Sequence, residues 1–196
     1  NSSWGSAYAP LRGYNFSDDN ASSGKQTSFE NTIPTSRGSY NTSDLANSWI
    51  TQYAAGNWNF AWVRKWNIMI DKLEQYKSVL EEETYNHWMG VARFFRGFAY
   101  RGLACLFGGV PLIVHEVKTP RRDFVRASRE GTFQQAANDL RFAAENLPAK
   151  KDVKAVGRVN SAAGYHFLAE VYLALEKYDS AAMAASIVLD DPAFGL

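Results

Sequence analysis

Hydrophobic and polar positions along the chain fall into two regimes. Residues 1–43 keep neither a 3.6 nor a 2.0 period and are broken by Gly5, Gly13, Gly24, Pro34 and Gly38, so they are predicted to be mostly ordered loop, with one helical turn near Tyr8 to Leu11. A loop this long in a compact domain is usually functional. From Ser43 onward the pattern turns helical. Ser43 or Asp44 can cap a short helix carrying Leu45, Trp49 and Tyr53 on one face and ending at Gly56. Val63, Trp66, Ile70, Leu73 and Leu80 then repeat at three, four, three and seven, predicting an amphipathic helix from about Trp58 to Glu83.

Thr84 is placed to cap a third helix of about 23 residues, stopped by Gly108 and Gly109 in the αL region and sealed by Pro111. Val91, Phe94, Phe95, Phe98, Ala99 and Leu106 cover more than a stripe, so this helix is expected to be interior, with Arg93, Arg96 and Arg101 needing carboxylates, carbonyls or water. Val110 to Val117 reads as extended and Lys118 to Gly131 as a solvated, charged connection. Thr132 and Gln135 fit a capping box for a helix that stops before Pro148, with Phe133, Ala136, Ala137, Leu140 and Ala144 buried. Two further helices follow, from Ser161 through Leu175 and from Asp179 through Leu189. The fold class is therefore all-α: tetratricopeptide-like antiparallel hairpins over residues 58–196, preceded by a loop-rich, aromatic-rich segment over residues 1–57 with one short helix.

The repeat assignment rests on small and aromatic positions. Leu168, Ala169, Tyr172, Ala181 and Pro192 match the tetratricopeptide template, in which small residues let paired helices approach and an aromatic fills the groove between them. Ala136, Leu140, Ala143 and Pro148 match its second helix alone. The helix over 85–107 would then be the first helix of an earlier repeat, split by an insertion over 108–131. Gly97 is expected where two helices pack closely.

Composition narrows the chemistry. With 196 residues, 46% hydrophobic and 21% charged, the chain can build a full core, and a net charge of +1 gives no electrostatic case for nucleic acid or an anionic membrane. No apolar run spans a bilayer, and Asn1-Ser2-Ser3-Trp4 is not a signal peptide. Cys105 is the single cysteine, which excludes an internal disulfide, and its position predicts a buried small hydrophobe. His87, His115 and His166 show no metal-ligand spacing, Asp18 with Asp19 and Glu81 to Glu83 do not suit paired acid catalysis, and no nucleophile, phosphate-loop or dinucleotide motif appears. No enzymatic role, cofactor or metal is expected.

Aromatics are the compositional outlier. Eleven of them lie in the first 62 residues among Ser, Asn, Thr and Gly, a composition suited to a neutral polar ligand, since an aromatic plane packs on the apolar face of a sugar while short polar groups take its hydroxyls. Trp49, Trp58 and Tyr40 are the candidate planes, and Asp18, Asp19 and Asn57 the candidate polar partners. Trp49 and Trp58 can equally be core residues of the first helices. Trp66, Trp88, Tyr100, Tyr165 and Tyr172, at helical spacing among apolar residues, are read as core.

The run Arg93-Phe94-Phe95-Arg96-Gly97-Phe98-Ala99-Tyr100, followed by Leu106-Phe107-Gly108-Gly109-Val110-Pro111-Leu112-Ile113, resembles the hallmark of the SusD/RagB family of outer-membrane nutrient-binding lipoproteins. Phe60, Val63, Asn67 and Ile70 resemble the helix that precedes it, and Gly157 to Ala163 with Tyr178 to Val188 resemble the block that follows. The sequence departs at Gly97, where alanine is commoner, and at Cys105, where a basic residue is commoner. It is also less than half the usual length, as expected of the N-terminal helical part of such a protein. The resemblance implies a lipid-anchored subunit on the extracellular face of the outer membrane. It would bind oligosaccharide as the lid of a SusC-like TonB-dependent transporter, although some members take peptides. A tetratricopeptide scaffold that binds protein segments, and a carbohydrate-active enzyme whose catalytic part is absent, are the competing readings.

Overall fold

In a computed structural model, residues 58–194 except Lys154 and Val156 are described, and they belong to one compact unit. That unit contains five α-helices and, among the described residues, no strand: α1 (Ala61–Gln75), α2 (Glu82–Phe107), α3 (Arg129–Asn146), α4 (Ser161–Ala174) and α5 (Tyr178–Leu189). The expected helix around Trp49 lies outside the described residues.

Side-chain pairings fix the directions of the helices. Trp66 stacks on Phe95, while the Tyr85 hydroxyl donates to Glu74 eight positions later on α1 and ten earlier on α2, so these two helices run antiparallel. Gly90 faces Leu147 and Gly97 faces Leu140, which makes α2 and α3 antiparallel as well. Gly164 lies against Ala144 and Lys177 reaches Gln134, giving the same relation between α3 and α4. The result is the tetratricopeptide arrangement, with α2 and α3 as one hairpin and α4 and α5 as the next. Their shared core includes Phe94, Tyr100, Phe133, Leu140, Leu168, Val171 and Tyr172, and a second cluster of Ile70, Tyr85, Met89 and Ala92 holds α1 to α2.

Local chemistry moved several boundaries. Helix α1 stops at Gln75 rather than near Glu83, because a 3-10 turn over Lys77–Val79 and extended backbone at Leu80 reverse the chain so that α2 can pack back on it. Helix α2 is 26 residues long and starts two positions before Thr84, with Glu82 and Glu83 in its first turn where carboxylates favour the helix dipole. Its stop is Gly108, at φ 69° and ψ −123°, so the terminator has the positive φ expected of glycine but lies outside the αL well. Helix α3 is capped by Ser128, whose side chain accepts from the Gly131 amide at 2.9 Å, and not by a box at Thr132. Thr132 is buried and turned to another use: its hydroxyl donates to the Ser128 carbonyl and accepts from the Val110 amide. Asn160 caps α4 one residue ahead of Ser161, accepting from the Ala163 amide at 3.0 Å.

Four interior assignments are overturned. Cys105 is exposed, and so are Trp88 at 46%, Phe98 at 41% and Leu106 at 49%. All but Leu106 lie on the row Trp88, Val91, Phe95, Phe98, Gly102, Cys105, which runs along α2 at helical spacing and is only half covered. The fully buried row is Tyr85, Met89, Ala92, Arg96, Leu103. Apolar composition marks both rows alike, and only the placement of the neighbouring helices decides which is sealed.

Candidate functional site

The hallmark run builds a polar clamp. Arg96 and Asp139, 4% and 1% exposed, form a two-pronged ion pair, Nε to Oδ2 and Nη2 to Oδ1, each at 2.7 Å. Arg96 Nη1 donates further to Asn67 Oδ1 and to the Val114 carbonyl, both at 3.0 Å. Asn67, itself buried on α1, turns its amide to the carbonyls of Ile113 and His115 at 2.7 and 3.1 Å. The Tyr100 hydroxyl accepts from the Ile113 amide at 2.7 Å and donates to the Ile113 carbonyl at 2.9 Å. Asp71 receives the Glu116 amide at 2.7 Å and touches His115 Nδ1 at 2.9 Å.

These bonds give the backbone groups of residues 113–116 partners where no strand among the described residues lies beside them. Helices α1 and α2 supply side chains in place of a ladder, and Asp139 of α3 holds Arg96 in position. Burial pushes the Tyr100 phenol up to about 12, keeping it neutral and able to donate. Burial also pushes the Asp71 carboxyl up, but the Glu116 amide, His115 and the Arg96 charge outweigh it and leave the carboxyl below its usual range. The clamp residues are thus committed to the fold, and their role is structural.

Ligand chemistry has to come from elsewhere. Of the candidate residues, Asp18, Asp19, Tyr40, Trp49 and Asn57 lie outside the described residues. Trp58 precedes α1 and is 41% exposed, with its ring edge-on to Phe107 at 4.9 Å and to Phe60 at 5.8 Å. The Arg126 guanidinium lies 5.5 Å from the same ring. Arg126 is fixed there because its Nε and Nη2 each donate at 2.7 Å, to the carbonyls of Gly109 and Phe107 at the negative end of α2. The 118–131 connection is therefore more than a solubilising charge cluster: Arg126 ties off α2 and frames Trp58. A half-exposed indole beside an anchored guanidinium offers an apolar plane with adjacent N–H donors.

A second aromatic group was not singled out from sequence. Trp62, 58% exposed, stacks on Trp66, whose ring stacks on Phe95 at 4.8 Å. Trp62 and Trp66 stand four apart on α1, which places them on one face, but only tertiary packing brings Phe95 beneath them. Among the described residues no cluster of three or more metal-ligating side chains forms, and no helix is long and apolar enough to cross a membrane.

The profile of a SusD-like family, described as starch-binding and associating with the outer membrane, matches residues 6–173. The chain belongs to this family. No curated protein matches the sequence. Among solved structures, a SusD-like protein from Bacteroides fragilis is 25% identical with a TM-score of 0.59, the match covering 65% of this chain and 25% of that one. A SusD superfamily protein from Bacteroides vulgatus is 25% identical with a TM-score of 0.64, covering 74% of this chain and 31% of the other. A laminarin-binding SusD-like protein shares the fold at 24% identity and a TM-score of 0.55, covering 65% and 27%. The matched region thus spans between a quarter and a third of the length of these relatives.

Proposed function

We propose that this chain is part of a cell-surface nutrient-binding protein that captures oligosaccharide at the extracellular face of the outer membrane, held there by a lipid anchor. It works without catalysis, as the lid of a SusC-like TonB-dependent transporter to which it delivers the sugar. The observation that carries the reading is family membership over most of the chain, in a family described as starch-binding and associating with the outer membrane. A solved relative that binds laminarin supports a glucan ligand. The Trp58 indole, half open and flanked by Arg126, supplies stacking chemistry of the required kind; Trp49, Tyr40, Asp18, Asp19 and Asn57 are proposed as further ligand residues on the strength of the sequence.

Titration calorimetry with laminarihexaose and maltohexaose tests the ligand class. Trp58→Ala should weaken binding by about 2 kcal/mol, the loss typical of an aromatic anchor, while leaving the fold intact by circular dichroism. The tetratricopeptide hairpins also suit a peptide ligand, so a peptide library is titrated alongside. Binding of peptide with no heat from either glucan would replace the glycan reading. Crosslinking in outer membranes tests the lid role, and recovery without β-barrel peptides would remove it.

A further inference from the structure

The exposed row of α2 leads to a groove that the Trp58 site does not use. It lies between the first half of α2 and the turn joining α3 to α4, with a volume of about 680 Å³, within the range of small-molecule clefts. One wall is His87, Trp88, Val91 and Phe95; Asp152 and Arg158 stand on the other. Trp88 is nearly half exposed at the start of the half-covered row of α2, and its aromatic neighbour is His87, edge-on at 5.2 Å. Asp152 and Arg158 are exposed on the same groove, and neither takes part in an ion pair among the described residues.

We infer that this groove binds a pyranose ring, with Trp88 as its stacking plane and Asp152, Arg158 and His87 as hydroxyl partners. The wall is mostly apolar, which suits the C–H face of a sugar. The opposite charges of Asp152 and Arg158 cancel, so no net field selects an ion, while each planar group can bracket two adjacent hydroxyls. Trp88 and Phe107 are 19 residues apart on one helix, which at 1.5 Å per residue puts this groove about 28 Å from the Trp58 cluster. The two are separate sites, and a single ring cannot occupy both. The ligand class rests on the glycan-binding reading above; the location does not.

The test follows the indole N–H signals of the whole ¹⁵N-labelled chain during titration with laminarihexaose and with maltohexaose, Trp88 and Trp58 being assigned through their phenylalanine variants. With at least one hexaose the Trp88 signal should shift saturably, and it should still do so in Trp58→Ala. Asp152→Asn combined with Arg158→Gln, both at exposed positions, should raise the apparent Kd at Trp88 at least tenfold without lowering the melting temperature. A Trp88 signal that stays still while Trp58 moves would overturn the groove site and leave the proposed function intact. Stillness of both signals, together with no calorimetric heat, would remove the glycan reading and this inference with it. A Trp88 shift indifferent to the Asp152 and Arg158 changes would refute the polar half of the site.

Discussion

Asp139→Asn should be the most damaging near-isosteric change in the described structure. The guanidinium of Arg96 has five N–H donors and places four of them, two on Asp139 and one each on Asn67 and Val114. Asparagine keeps the shape of Asp139 but removes the charge and points an amide N–H₂ at another donor. What remains is a buried cation facing a neutral group, a loss of about 3 to 5 kcal/mol when one partner of a buried pair is removed. With a urea slope of about 2 kcal/mol/M, the unfolding midpoint should fall by about 1.5 to 2.5 M. Arg96→Met should be comparably severe, since it strands the Asp139 carboxylate with one remaining side-chain donor, Gln135 at 3.1 Å. Combining Arg96→Met with Asp139→Leu should recover much of the loss, because an apolar pair has no unpaired charge to leave behind. Hydrogen exchange at the Ile113 and Glu116 amides should quicken in the single variants, as the clamp that holds residues 113–116 loosens. If Asp139→Asn lowers stability by less than about 1 kcal/mol, the pair is behaving as a solvated surface contact and the clamp argument fails.

Gly97→Leu should lower the melting temperature by an amount equivalent to about 1 to 3 kcal/mol or more, because even a Cβ there would lie 2.9 Å from Leu140 Cγ and 3.0 Å from the Ala136 carbonyl; an unchanged melting temperature would show that α2 and α3 are not in close contact at this point. Asp71 has a folded pKa below its ordinary value of 3.8, so its contribution to stability is present above pH 3.8 and is lost as pH falls through the folded value. Asp71→Asn should therefore be less stable than the parent at pH 6 and lose less on going to pH 2.5, as read from urea midpoints; parallel acid limbs for the two proteins would contradict the bonds to His115 and Glu116.

Sequence by itself determined the helices and some of their stops. The periods through Val63 to Ile70 and Phe133 to Ala144, the glycine stop at Gly108 and the break before Pro148 are local signals, written within a turn or two of where they act. The close approach at Gly97 could be read the same way, since a lone small residue among large ones leaves room that a neighbour fills. The family was legible for a related reason: its hallmark packs two arginines, several aromatics and a glycine pair into a short run at fixed spacing along α2 and its stop.

What tertiary structure alone decided was the use of each side chain. Asn67, Asp71 and Asp139 are ordinary polar residues in the sequence, the first two 29 and 25 positions before Arg96 and the third 43 after it, and only the antiparallel packing of α1, α2 and α3 brings Asn67 and Asp71 to the backbone of residues 113–116 and Asp139 to Arg96. Trp88 and Cys105 have the same apolar character as the buried row beside them. They are open because, among the described residues, no helix covers them, and a one-dimensional period carries no record of where a neighbour will lie. Trp58 and Arg126 lie 68 residues apart and meet because the end of α2, where unpaired carbonyls attract a cation, draws the arginine to the indole.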